Sequence, residues 1–329
     1  MQNNRGNMRV NDKRMKYRKR NRSISGQFLF AITVILVIFV FCIRDIKAEL
    51  KEIQVMLKRV EVLQYGRNET EHKEEASAIE GELDYIGSIG SVDVEKPVQR
   101  TKEEAIQRLG VLGQSDSVIE EIHKNSSTYP ESMLIALANN PEMADFVAGY
   151  IDGGGAAPGG LTNAEKEQDY PLLLQWDPRW GYEEYGNGSN IGLTGCGPTC
   201  LSMVLYYLTK DEVLTPDRIA AYSMENGYYV SGSGTAWALM EDMPKLYDIQ
   251  VTKPRVTERA LKTLLDQGRI IICAMGAGDF TLSGHFIVIY GYGEQGFMIN
   301  DPNCIARSRR IWTFKELEPQ IKNIWSYGK

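Results

Sequence analysis

The longest apolar run of the chain lies near its start. No charged residue occurs from Ser23 to Ile43, and the sequence from Phe28 onward is apolar almost throughout. A helix of this length rises roughly 30 Å, which matches the hydrocarbon thickness of a bilayer. The run lacks the polar face of a core helix and the small-residue cleavage site of a signal peptide. The pattern therefore predicts an uncleaved transmembrane helix over residues 23–43.

Charge is distributed unevenly on the two sides of this apolar run. Residues 1–22 contain nine Lys or Arg and one Asp, a charge of +8, whereas the rest of the chain carries −14. The positive-inside rule predicts that residues 1–22 form a basic cytoplasmic tail and that everything after Arg44 is extracytoplasmic. An acidic body also argues against nucleic acid as the main partner, because phosphate binding needs Lys and Arg on the folded surface.

Beyond the apolar run, large apolar residues recur at alternating spacings of four and three. They are Ile46, Leu50, Ile53, Leu57 and Val60. This spacing predicts a stalk helix over residues 44–65, with the short seam of a coiled coil. Two heptads are marginal alone, so a solvated stalk and a weak dimer both remain open. Residues 66–100 are acidic and poor in large apolar side chains, which predicts a flexible spacer.

Short helical patterns occupy residues 101–151, which we call the helical unit. Pro130 and Pro141 stand at preferred first-turn positions of two helices, and Asn140 is the expected N-cap of the second. His123 lies on another of these helices and is expected to be structural. Nine residues from Asp152 to Gly160 are mostly Gly, Ala and Pro, so residues 152–170 are predicted to be a linker.

The densest core signal lies in residues 171–329. Apolar periodicity predicts helices over 198–208, 215–226 and 257–267. Apolar runs separated by Gly-rich turns then predict strands over 270–274, 285–290 and 297–299. Because helices precede strands, we expect an α+β domain, and 159 residues are enough for a sizeable core.

A Gly-rich turn that runs directly into the first of these helices contains a cysteine. Cys196 would lie at the helix N-terminus, where free N–H groups and the helix dipole favour a thiolate. Gly195 beside it would let a substrate backbone approach closely. Cys200 shares the apolar stripe of the helix with Val204 and Leu208, so we interpret it as a core residue.

Two further polar residues lie at strand ends. His285 opens an otherwise apolar strand after Gly284, and an imidazole there could take a proton from Cys196. Asp301 ends the next strand and can orient the histidine ring. Trp237 comes after the Gly-rich stretch 231–235, which is either a lid that lines a substrate groove or a loop that leads Trp237 into the core.

Four motifs occur in a fixed order: Gln175 to Trp180, Ile191 to Thr199, Gly284 to Tyr292, and Asn300 to Pro302. Together they resemble the standalone relatives of bacteriocin-processing, double-glycine-leader cysteine peptidases, which form peptidase family thirty-nine of the cysteine class. The resemblance covers residues 171–329, about half of the chain. It implies a papain-like fold in which a nucleophile helix packs on an antiparallel sheet.

The resemblance also implies roles for individual residues. Cys196 would be the nucleophile, His285 the general base and acid, and Asp301 the residue that orients the histidine. Gln175 would donate to the oxyanion beside the backbone N–H of Cys196. The transporter-linked members place that glutamine six residues before the cysteine, where this chain has Asn190, so Asn190 is the alternative.

Other interpretations use the same residues. Cys196 and His285 could be a buried thiol and a core histidine, or they could bind zinc together with Cys200 and Cys304, although the usual ligand spacing is absent. The triad would serve a peptidase, a peptidoglycan amidase or endopeptidase, or an acyltransferase, on a peptide or cell-wall peptide substrate. A catalytically silent peptide-binding module is a further alternative. No motif indicates a cofactor or a metal site.

Overall fold

The computed structural model describes residues 36–41, 43–62, 94–151 and 159–329. The chain divides into two compact units, Met1–Lys58 and Arg59–Lys329. The described part of the first unit is helical, and its apolar residues from Leu36 to Phe41 are each 49–60% exposed. Within the described ranges, no helix combines the length and the apolar character needed to cross a bilayer.

Several predicted segments fall partly or wholly outside the described residues. The basic tail 1–22 lies outside, as does most of the predicted transmembrane segment, residues 23–35 and 42. Residues 66–93 of the predicted spacer and 152–158 of the predicted linker also lie outside. These predictions therefore stay predictions.

The helical unit consists of four short helices in the second compact unit. They are α1 (Lys102–Leu112), α2 (Ser117–Lys124), α3 (Glu131–Asn139) and α4 (Ala144–Gly149). Thr101 and Glu104 form a capping box at the start of α1, and the Asp116 carboxylate caps α2. Asn140 caps the 3₁₀ turn Pro141–Met143 by accepting from the N–H of Glu142, which confirms the predicted N-cap.

Residues 159–170 of the predicted linker include an ordered helix. This helix is α5 (Asn163–Lys166), which opens with a capping box between Thr162 and Glu165. Arg179 lies 2.6 Å from a Glu165 oxygen and 2.7 Å from an Asp177 oxygen, with all three side chains largely buried. This buried ion-pair network fixes α5 next to residues 177–179.

Residues 171–329 form the predicted α+β domain. Its helices are α6 (Ile191–Thr194), α7 (Cys196–Thr209), α8 (Pro216–Glu225), α9 (Leu239–Asp242), α10 (Glu258–Asp266), α11 (Ile305–Arg309) and α12 (Phe314–Leu317). Its strands are β1 (Tyr229–Val230), β2 (Gly234–Thr235), β3 (Gln250–Thr252), β4 (Ile270–Met275), β5 (His285–Gly293), β6 (Gly296–Asn300) and β7 (Ile321–Gly328).

Five of these strands form one antiparallel sheet in the order β3-β7-β4-β5-β6. The strands β4, β5 and β6 correspond to the three apolar runs of the sequence. The β7 strand, which the sequence analysis did not identify, fills the place between β3 and β4, so that Ile272 pairs with Trp325. The two remaining strands, β1 and β2, form a separate hairpin.

The two faces of the sheet are covered by different helices. Ile271, Cys273 and Ile287 point to one face and share a core with Leu261 of α10. Successive side chains of a strand alternate between faces, so Ile272 and Val288 point to the other face, where α7 packs against β4 and β5. This packing places the N-terminus of α7 near the first residue of β5.

The helical unit and the α+β domain share a hydrophobic core. Leu174, Trp176 and Ile305 are buried in the same cluster as Phe146 and the other apolar residues of the helical unit. A Cβ atom on Gly192 would lie 2.3 Å from the Phe146 ring, so the two parts approach closely beside α6. The helical unit is therefore packed on the segments that flank the candidate site residues.

Candidate active site

Cys196 lies at the N-terminus of α7, as the sequence predicted, and is the first residue of this helix, which starts before the predicted range 198–208. The short helix α6 precedes it, and the N–H of Gly195 donates to the Ile191 carbonyl over 2.7 Å, which turns the chain sharply into α7. The N–H of a residue at the start of a helix has no intrahelical partner. Cys196 is partly exposed, whereas Cys200, one turn further along, is fully buried.

Two glycines beside Cys196 are required by packing. A Cβ atom on Gly197 would lie 2.5 Å from Oγ1 of Thr235, so the β1–β2 hairpin sits directly against the start of α7. A Cβ atom on Gly195 would lie 2.4 Å from Cγ2 of Ile191. Gly195 thus permits the tight turn, and it is not among the residues that line the neighbouring cavity.

His285 and Asp301 lie at the ends of neighbouring strands. His285 is the first residue of β5, and Asp301 comes directly after β6, which pairs with β5. Nε2 of His285 lies 2.7 Å from Oδ1 of Asp301. An ionised carboxylate only accepts, so Nε2 carries the hydrogen and Nδ1 is left for Cys196.

Electrostatics favour a charged pair at this position. Burial lowers the pKa of His285, but the Asp301 charge, its hydrogen bond and a hydrogen bond with Cys196 outweigh burial and raise that pKa to about 9. Burial raises the pKa of Asp301, and the positive charges of His285 and Arg307 outweigh it, so the pKa of Asp301 is lowered. The site therefore favours an imidazolium next to a carboxylate.

Arg307 is the partner of Asp301 that the sequence analysis missed. It lies on α11, is 6% exposed, and its Nη1 lies 2.9 Å from Oδ2 of Asp301. The other oxygen of Asp301 also accepts the N–H of Asn303 over 2.9 Å. No periodic pattern marks this arginine, and the sequence gives no reason to choose it over Arg309 and Arg310, which follow it closely.

The structure separates the two candidate oxyanion donors. Gln175 is 4% exposed, lines the cavity that contains Cys196, and donates from Nε2 to the Gly192 carbonyl over 2.8 Å. One of its two amide hydrogens therefore stays available. Asn190 is not among the residues that line the cavity, and its side-chain oxygen accepts from the N–H of Leu193 as the N-cap of α6.

A cavity of about 760 Å³ opens beside these residues. Trp237, half exposed and in edge contact with Trp325, lies on its wall together with Gly284. The β1–β2 hairpin contributes Gly232 to Thr235 to the wall. The helical unit contributes four residues that the sequence analysis did not connect with the site: Ala136, Asn139, Asn140 and Met143.

The cysteines other than Cys196 in the described α+β domain lie in its core. Cys200, Cys273 and Cys304 are fully buried, and burial raises the pKa of all three thiols. Over the ranges that the structure describes, His, Cys, Asp and Glu form no group of three or more that could hold a metal ion.

Comparisons with known proteins find similarity over this domain. The family model described as Peptidase_C39 like family matches residues 167–328. The peptidase domain of Streptococcus ComA, a bi-functional ABC transporter involved in a quorum-sensing pathway, is 18% identical, with a TM-score of 0.33 over 48% of this chain and 96% of its own. A C39-like peptidase structure from Bacillus anthracis is 14% identical, with a TM-score of 0.31 over 49% of this chain and 94% of its own. No curated protein matches the chain.

Proposed function

We propose that residues 167–328 are a papain-like cysteine peptidase domain of the C39-like family, which hydrolyses peptide or amide bonds with Cys196, His285 and Asp301. The observation that carries the proposal is the 2.7 Å contact between Nε2 of His285 and Oδ1 of Asp301, with Cys196 at the start of α7 interacting with the same histidine. A nucleophile helix packed on the antiparallel sheet that bears the base is the papain-like arrangement. The family match over the same residues supports it.

The first half of the reaction is acyl transfer to the enzyme. The Cys196 thiolate attacks the scissile carbonyl carbon, and the carbonyl π electrons move onto oxygen. As the tetrahedral intermediate collapses, the C–N bond breaks and the His285 imidazolium gives its proton to the leaving amine. In the second half, neutral His285 takes a proton from water as the water oxygen attacks the thioester carbon. The C–S bond then breaks, the acid is released, and the Cys196 thiolate and the His285 imidazolium are restored.

Two donors serve the oxyanion of the intermediate. The N–H of Cys196 begins a helix and has no intrahelical partner. The second amide hydrogen of Gln175 is the other donor, because the first is held by the Gly192 carbonyl. Fixed donors of this kind need no reorganisation when charge develops on the oxygen.

We also propose that residues 23–43 anchor the protein in a membrane, with residues 1–22 cytoplasmic and the catalytic domain extracytoplasmic. The charge-free apolar run and the +8 tail support this proposal. The corresponding substrate class is an extracytoplasmic peptide, including the peptides of a cell wall.

The test uses the full-length protein in detergent with two substrates, a peptide library and purified cell wall. New amine termini that appear with the wild type and not with Cys196→Ala support hydrolysis. Release from cell wall alone identifies an amidase or endopeptidase, and incorporation of an added amine identifies an acyltransferase. If Cys196 reacts with iodoacetamide no faster than the three buried cysteines and neither substrate is cut, the domain is a silent binding module and the proposal is wrong.

A further inference from the structure

A carboxylate of the helical unit caps a helix of the α+β domain. Glu142 is 4% exposed, and its two oxygens accept the N–H groups of Ile305 over 2.7 Å and Ala306 over 2.8 Å. These are the first two N–H groups of α11, which have no partner within their own helix. The cap joins residues 163 positions apart.

The helix that Glu142 caps carries a partner of Asp301. Arg307 lies on α11, with Nη1 2.9 Å from Oδ2 of Asp301. Ser308, the next residue of α11, accepts the backbone N–H of Asp301 over 2.8 Å. The position of α11 therefore sets the position of the carboxylate that faces His285.

A second contact from the helical unit reaches the same turn. Nδ2 of Asn140 donates to the carbonyl of Asn303, and the N–H of Asn303 donates to Oδ1 of Asp301 over 2.9 Å. Ile305 of α11 is itself buried in the core of the helical unit. The turn between β6 and α11 is thus held by polar contacts and by shared apolar packing.

We propose that Glu142 is a positioning residue for the Asp301–His285 pair, acting through α11 and Arg307, and that the helical unit is a built-in part of the catalytic centre. The inference rests on the proposed function for the identity of the reaction. Asn139 and Asn140 of the helical unit also lie on the wall of the cavity that Cys196 lines.

The charged and titratable groups around this centre come from four elements. Asp301 and Cys196 face His285, from the end of β6 and the start of α7. Arg307 of α11 faces Asp301, and Glu142 and Cys304 lie nearby. If Asp301 moves away, burial becomes the dominant influence on His285 and destabilises its imidazolium. Cys196 then loses the positive charge that faces it.

The experiment measures the rate of Cys196 alkylation by iodoacetamide from pH 5 to pH 9 in the full-length protein, with the labelled peptide quantified by mass spectrometry. Glu142→Ala should slow labelling at pH 6 about tenfold and should move the rise in rate to higher pH, because the imidazolium that faces Cys196 is destabilised. Glu142→Gln keeps the side-chain volume and one acceptor oxygen, so it should shift the profile by less. It also stays measurable if Glu142→Ala does not fold. Asp145→Asn, an exposed carboxylate three residues away, should leave the profile unchanged.

A double variant tests whether Glu142 acts through Arg307. Arg307→Gln should shift the profile in the same direction, and adding Glu142→Ala should shift it no further. Additive shifts, or a uniform loss of rate without a shift, would mean that Glu142 has only a structural role.

Selective labelling of wild-type Cys196 with an unshifted Glu142→Ala profile contradicts this inference alone. A wild-type Cys196 that labels no faster than the buried cysteines contradicts the proposed function and this inference together.

Discussion

Nε2 of His285 lies 2.7 Å from Oδ1 of Asp301, and Asp301 is fully buried behind the histidine. A buried carboxylate is costly unless it is paired and hydrogen-bonded. Here one oxygen faces His285 and the N–H of Asn303, and the other faces Arg307. The arrangement gives the histidine a fixed orientation and a charged partner, and each residue in it can be tested separately.

Asp301→Asn should lower kcat by about 100-fold, because the amide leaves only one acceptor oxygen for the donors that the carboxylate now satisfies. His285→Ala should lower kcat further, by about 1,000-fold or more, since the proton donor to the leaving amine is lost. Steady-state kinetics on one cleaved peptide would measure both. An Asp301→Asn enzyme as impaired as His285→Ala would mean that the carboxylate does more than orient the ring.

The stability of the fold should fall as the pH rises through the range in which His285 loses its proton. Its pKa in the folded protein, about 9, is above the value of roughly 6.5 for a histidine in an unfolded chain. The stabilisation is therefore fully present below pH ~6.5 and is lost as the pH rises through the folded pKa. Melting temperatures from pH 6 to pH 10 should decline less in His285→Gln than in the wild type. Parallel curves would contradict the raised pKa.

Gln175→Ala should lower kcat by roughly 10- to 1,000-fold with little change in KM, because an oxyanion donor acts only in the transition state. Asn190→Ala is the matched comparison. It removes the N-cap of α6 and should cost about 1 kcal/mol in the free energy of unfolding, with a much smaller effect on kcat. If the two variants exchange these effects, Asn190 is the oxyanion donor.

Cys200→Ser should destabilise the domain by about 1–3 kcal/mol, since a hydroxyl replaces a fully buried thiol on the apolar side of α7. Activity per folded molecule should be unchanged. Cys196→Ala should do the opposite: the fold remains and turnover is lost, because no other group forms the thioester. Urea unfolding and active-site titration separate the two outcomes. An inactive, folded Cys200→Ser would identify Cys200 as the nucleophile.

The orientation proposed for the membrane anchor predicts that protease added to intact cells degrades the catalytic domain. An epitope tag placed before residue 1 should stay protected until the cells are lysed. Immunoblotting for the tag and for the domain reports both sides in one experiment. Survival of the domain in intact cells would reverse the orientation.

Much of the local structure could be predicted from the sequence. The α+β class, the helix with Cys196 at its N-terminus, the strand that begins at His285 and the end of β6 before Asp301 agree with the structure. These features depend on apolar periodicity and on Gly, Pro and capping residues within about ten positions of one another. The hairpin that joins β5 and β6 could be predicted from the sequence for the same reason.

The sequence alone therefore determined the helix and the two strands that carry or border Cys196, His285 and Asp301, and so the order of these three residues along the chain. Only the tertiary structure decided what surrounds them. The place of β7 beside β4, the ion pair of Arg307 with Asp301 and the cap that Glu142 gives to α11 join segments without any periodic signal in common. A buried carboxylate must accept hydrogen bonds from donors that lie beside it in the folded chain. Tertiary packing, and not the neighbouring sequence, decides which donors those are.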